Sequence, residues 1–168
     1  MKMVDNIKEY IINEEVAKLY AIYEAGTLDP KDQEELQGVL VQLSQDKMHE
    51  KVVEKEHFVW EEENEQFVLR VLYELALAHY EQGMNYEALS EFELLSVLSD
   101  NQAFSKAMKK HLFALDQELE YEDFTLAWLE GDEKLFYMRD FDVDYERQFV
   151  EHLDAIDKKL EKTKKIFF

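Results

Sequence analysis

The chain has no cysteine among its 168 residues, one proline and four glycines. The first absence excludes disulfides, thiolate metal sites and a cysteine nucleophile. The other two leave too few turn-forming residues for an all-β or α/β fold. Cations are scarce as well: 19 Lys and Arg stand against 39 Asp and Glu, a formal charge of -20. Counterion release would then work in reverse, so direct binding to nucleic acid or to an anionic membrane is not expected. No apolar run approaches the roughly 20 residues that cross a bilayer. The opening MKMVDNIKEYII is charged too early for a secretory signal. A soluble, cytoplasmic protein is the resulting expectation.

What is present favours helix. Glu, Leu, Lys, Ala and Gln are abundant, and a hydrophobic fraction of 46% is ample for one core. The expected fold class is all-α: a single domain over 1–168 built of antiparallel helical hairpins, as an α-α superhelix or a compact helical bundle.

Glycine and proline mark the joints. Met3 to Ala25 carries a helical stripe (Val4, Ile7, Ile11, Leu19, Ile22) and ends at Gly26, where a left-handed residue costs little. Asp29 then caps a helix opened by Pro30, with Asp32 and Glu34 at the positive end of its dipole. This predicts an N-terminal hairpin over 1–43. An unbroken helix onward to Gln82 would be too long for a globular domain, so residues 44–64 must contain a turn. Asp46 to Trp60 reads either as an exposed helix or as a loose connection. A hairpin over 65–101 follows, with helices at Glu65–Gln82 and Asn85–Leu98. Residues 102–168 complete the chain with further helices: a segment through Ala107, Leu112 and Leu115, an acidic turn within Asp116–Glu122, and two short pieces flanking Gly131. Last comes a long amphipathic helix after Asp142, marked by Tyr145, Phe149, Leu153, Ile156 and Leu160, with a Lys-rich end.

Three of the four glycines share a context: Tyr23, Tyr80 and Trp128 each stand three residues before Gly26, Gly83 and Gly131. The aromatic would cover the turn while glycine lets the chain reverse. The most informative segment is LYELALAHYEQGMNYEALSEFELLSVLSDN, Leu72 to Asn101. Leu72, Leu75, Ala76 and Tyr80 precede Gly83, and Ala88 and Phe92 follow it. With these residues in these places, the stretch at about 69–101 resembles a tetratricopeptide repeat (TPR). His79 stands where that family has an aromatic, Leu95 replaces a small residue, and Asp100 stands where its closing proline would be. Around Gly26 the small positions hold Leu19 and Lys31, and around Gly131 they hold Phe124 and Phe136, so those units resemble the family only in outline. The glycines are 57 and 48 residues apart, whereas tandem tetratricopeptide units recur at about 34.

The resemblance implies a non-catalytic module for protein binding, as an adaptor, regulator or dedicated chaperone. It implies that the inner face of the first helix, carrying Arg70, Tyr73, Leu77, Tyr80 and Glu81, grips a protein or peptide partner. Charge adds that the partner can be basic: Glu56 to Asn101 holds eleven carboxylates and one cation, Arg70, whereas Lys158 to Phe168 holds five lysines and one glutamate. The alternative from another class is an acidic inhibitor, an immunity protein or DNA mimic that blocks a basic site on a nuclease or DNA-binding protein.

Catalytic patterns are weak. Glu54 and His57 have Glu-x-x-His spacing, but a di-iron bundle needs a second such pair and two further glutamates. His49, eight residues before His57, reads with it as an ordinary exposed histidine, His111 and His152 have no partner that spacing identifies, and His79 reads as a packing residue. Neither a phosphate-cradling glycine loop nor a nucleophile elbow occurs. No enzyme activity, metal or cofactor is expected. Trp60 is a core anchor or a partner-facing aromatic, and Ile166-Phe167-Phe168 either docks on the body or joins a homo-oligomer contact.

Overall fold

The computed structural model describes residues 4–129 and 140–168, the side chains of Val4 and Asp5 excepted. Eight α-helices lie among them: α1 (Val4–Ile12), α2 (Val16–Ala25), α3 (Pro30–Glu54), α4 (Glu63–Glu81), α5 (Asn85–Leu98), α6 (Gln102–Asp116), α7 (Tyr121–Leu126) and α8 (Val143–Phe167). The only extended pairings among the described residues are two isolated bridges, Phe58 with Ser99 and Trp128 with Phe141. The fold is all-α. Gly131 and the segment Glu133–Met138, expected to form part of a third hairpin, lie outside the described residues.

The C-terminal ends of α1, α2, α3, α4 and α6 are set where the backbone enters the left-handed region, whereas α5 and α7 end without such a residue. Gly83, at φ +76°, donates to the Tyr80 carbonyl while Met84 donates to His79, the pair of bonds that closes a Schellman turn. Gly26, at φ +63°, donates to Tyr23. Three further left-handed residues are not glycine: Glu14, Lys55 and Glu118, with φ between +53° and +58°. Each closes a Schellman turn of its own, for example Lys55 to Val52 and Glu56 to Lys51. The turn at Glu14 divides into α1 and α2 the stretch Met3–Ala25 that its apolar stripe reads as one helix. The turn at Lys55 ends a 25-residue α3, so 44–54 is helix and the connection is confined to 55–62.

N-caps follow the sequence signals more closely. The Asp29 carboxylate accepts from the Asp32 amide at 2.9 Å ahead of Pro30, and Asp142 accepts from Tyr145 at 2.8 Å. One cap is invisible locally: the Asn64 side-chain oxygen accepts from the Ala17 amide at 3.0 Å, joining the start of α4 to the first turn of α2. The short extended piece at Phe58 pairs with the exit of α5, its amide donating to the Leu98 carbonyl at 2.7 Å. That pairing brings the entry to α4 beside the end of α5, so the two helices run antiparallel.

α4 is central, packing against α2, α3, α5 and α7, while α5 packs onward against α6 and α8. Its stripe Tyr73, Ala76 and Tyr80 is buried with Ala88 and Phe92 of α5. On the α6–α8 side the core is largely aromatic: Phe104, Phe113, Phe124 and Phe149 are fully buried. The α8 stripe meets it as expected, with Tyr145, Phe149, Ile156 and Leu160 inside.

Candidate functional site

The five residues that the resemblance places on a partner-binding face divide between core and surface. Tyr73 and Tyr80 are 3% and 1% exposed. The Tyr80 ring stacks on Phe124 with centroids 5.5 Å apart, and its hydroxyl donates to the Leu119 carbonyl at 2.6 Å. The Tyr73 hydroxyl lies 3.0 Å from Nε2 of the buried His111. His111 Nδ1 is 2.8 Å from the Ala107 carbonyl; a carbonyl only accepts, so Nδ1 carries the proton, and in the neutral ring Nε2 takes that of Tyr73. These two tyrosines are interior packing, and neither is available to a partner.

Arg70, Leu77 and Glu81 lie on the flank of α4. The Arg70 guanidinium sits 4.7 Å over the Tyr20 ring and reaches Glu74 at 3.4 Å and Glu24 at 3.5 Å. Tyr20 donates to the same Glu74 oxygen at 2.6 Å. Burial, and then this bond to a carboxylate, hold the Tyr20 hydroxyl proton well above the usual tyrosine range. The one cation between Glu56 and Asn101 is thus tied to carboxylates of its own chain. Leu77 is half-buried and Glu81 is exposed.

The open concavity lies elsewhere on α4. Leu72, Leu75 and His79 form a stripe about 100° around the helix from Tyr73, Ala76 and Tyr80. Leu72 and Leu75 floor a trough of about 340 Å³. α3 forms one wall with Gln45 and Met48, α5 the other with Ser90, Glu91 and Leu94, and Thr163, Ile166 and Phe167 of α8 close one end. The volume suits a small ligand or a few side chains of a peptide. Apolar side chains dominate, and Glu91 and Glu93 supply the charge. His79 Nδ1 donates to Glu91 Oε2 at 2.8 Å. Burial raises the Glu91 carboxyl above its ordinary range, and the His79 hydrogen bond partly offsets this. Glu93 pairs with Lys159 at 3.3 Å, and the same lysine reaches Asp116 at 3.0 Å.

The remaining candidates separate. Glu54 ends α3, whereas His57 lies beyond the left-handed Lys55 and stacks on Phe168 at 4.4 Å. The two therefore do not share a helix face. No group of three or more His, Asp or Glu side chains is placed to hold a metal ion among the described residues. Trp60 is half-buried, its ring 5.5 Å from Phe104. Of the apolar tip, Ile166 is 76% exposed while Phe167 and Phe168 are half-buried.

Sequence reasoning missed the trough because its walls come from segments it left unassigned or read separately. Met48 falls in the ambiguous stretch, and Phe167 lies 92 residues after Leu75. The available signal was Leu72 and Leu75 standing off the Tyr73–Tyr80 stripe, which shows a second apolar face on α4. No family model, no curated protein and no solved structure matches the chain.

Proposed function

We propose that the chain is a non-catalytic protein-interaction module, an adaptor, regulator or dedicated chaperone that holds a segment of a protein partner on the open side of a tetratricopeptide-like hairpin. The observation that carries this reading is the trough: an apolar floor between three helices, edged by carboxylates, in a chain of net charge -20. Helix-in-groove recognition needs such a floor to receive apolar anchors spaced by one helical turn. The binding surface is then Leu75, Met48 and Leu94; Arg70, Leu77 and Glu81 lie on the opposite side of α4, where Arg70 is turned toward α2, and fall outside it, while Tyr73 and Tyr80 belong to the packed core beside it. Affinity purification followed by mass spectrometry tests this with the wild-type chain and a Leu75→Glu, Leu94→Glu variant of equal helicity. A partner recovered by the first and lost by the second is expected, and identical recovery would sink the assignment.

An acidic inhibitor is the second reading, favoured by Glu61, Glu62 and Glu63, which are exposed and have no ion pair among the described residues. Steered association of that kind weakens steeply with salt. It would also survive the changes at Leu75 and Leu94.

A further inference from the structure

We infer that the last turns of α8 are a displaceable lid on the α4 trough, and that the segment the trough takes is a basic amphipathic helix of a partner whose chemistry the lid imitates. The inference rests on the interaction-module reading and specifies its ligand and its regulation. Up to Leu160, α8 is held by core side chains: Phe149, Ile156 and Leu160 are buried. Beyond Leu160 no side chain is fully buried, and Phe168 alone packs, half-buried, against the core. Thr163, Ile166 and Phe167 line one end of the trough; Ile166 remains 76% exposed, and Thr163, Phe167 and Phe168 are half-buried. This end is attached by the stack of Phe168 on His57 and by the Lys159 bridge to Glu93 and Asp116. Both are exchangeable surface contacts.

The lid also shows which chemistry the trough accepts. It presents lysines beside apolar and aromatic side chains, KKLEKTKKIFF from Lys158, to a floor of leucines with Glu91 and Glu93 at its edge. Lys159 already occupies Glu93, and Lys162, Lys164 and Lys165 are exposed. An incoming helix with apolar residues one turn apart and lysine or arginine between them would place its anchors over Leu72 and Leu75 and a cation at Glu91 or Glu93. An acidic segment would meet like charge there. The lid covers only one end, so the partner's first anchors have a place to land before Phe167 withdraws.

A fluorescently labelled synthetic peptide with the sequence of residues 156–168 tests both parts by anisotropy titration. It is added to the full chain, to an Ile166→Ser, Phe167→Ser variant that loosens the lid, and to the Leu75→Glu, Leu94→Glu variant. Helicity and thermal melting of each are checked against wild type. Tighter binding by about ten-fold is expected when the lid is loosened, because a lid that occupies the site taxes apparent affinity by the closed fraction. Loss of binding is expected in the trough variant, and for a peptide whose lysines are replaced by glutamate. Equal affinity of wild type and lid variant overturns the lid while leaving the module intact. Undiminished binding to the trough variant overturns the module surface itself. Equal binding of the glutamate peptide overturns the charge rule, and so does absence of binding to every form. Self-association of the lid variant in sedimentation, at the cost of peptide binding, assigns the trough to a second copy and overturns the partner.

Discussion

The two faces of α4 are treated in opposite ways. The Tyr73–Ala76–Tyr80 face is sealed: Phe92, His111 and Phe124 close on it, and each buried hydroxyl has a hydrogen-bond partner. The Leu72–Leu75–His79 face opens on the trough, with only the end of α8 reaching across it. Both stripes have the same helical spacing and similar apolar content, so amphipathic pattern alone does not separate a sealed face from an open one. The difference is in what later helices bring. α5, α6 and α7 bring the rings of Phe92, His111 and Phe124 to one face, whereas the other receives half-buried aliphatic walls, two carboxylates and the end of α8.

The strongest way to break this comparison is to empty the sealed face. Tyr80→Ala removes a ring that is 1% exposed together with a satisfied hydroxyl. It should cost ~3–5 kcal/mol in urea unfolding. Leu75→Glu on the open face should cost only ~1 kcal/mol, the ordinary scale of a point substitution. Similar losses at both sites would mean that the faces do not differ.

Alkaline titration sharpens the same contrast. Burial, and for Tyr80 the nearby Glu120 and Asp123, hold the Tyr80 and Tyr145 hydroxyls protonated above the usual tyrosine range. Unfolded tyrosines ionise near pH 10. With folded values raised, the stability these two groups contribute is full below about pH 10 and is lost as pH rises past it. Tyrosinate absorbance should therefore include a step that coincides with loss of helicity. A smooth titration of every tyrosine with helicity retained would refute the sealed face.

The smallest effects concern the turns that set where the walls stand. Glu14→Gly, Lys55→Gly and Glu118→Gly should each stabilise by ~0.5–1 kcal/mol, because a left-handed backbone strains a residue bearing a Cβ. Gly83→Ala should cost ~1 kcal/mol through its φ of +76° alone, since no atom lies within 4 Å of the added carbon. Thermal melts of the four variants check the signs.

These turns also show what could be read in advance. The hairpin expected at Glu65–Gln82 and Asn85–Leu98 is found at Glu63–Glu81 and Asn85–Leu98, because Gly83 and the apolar stripes are local signals. Pro30 and Asp142 are equally local. The breaks at Glu14, Lys55 and Glu118 carry no glycine, and their Schellman bonds are made by backbone groups common to all residues. The site was less legible than the fold. Periodicity groups Tyr73 with Tyr80, but whether that stripe meets solvent depends on His111 and Phe124, far along the chain. The trough likewise needs Met48, Leu94 and Phe167 brought together by three separate helices.

In the proposed function the open face of α4 is the binding surface. Mapping amide chemical-shift changes in the full chain on addition of the lysine-bearing peptide of residues 156–168 tests it most directly. Changes clustered at Met48, Leu75, Ser90 and Leu94, with Phe113, Phe124 and Phe149 unmoved, are the predicted result. Changes centred on α6 and α7, with the trough silent, would contradict it.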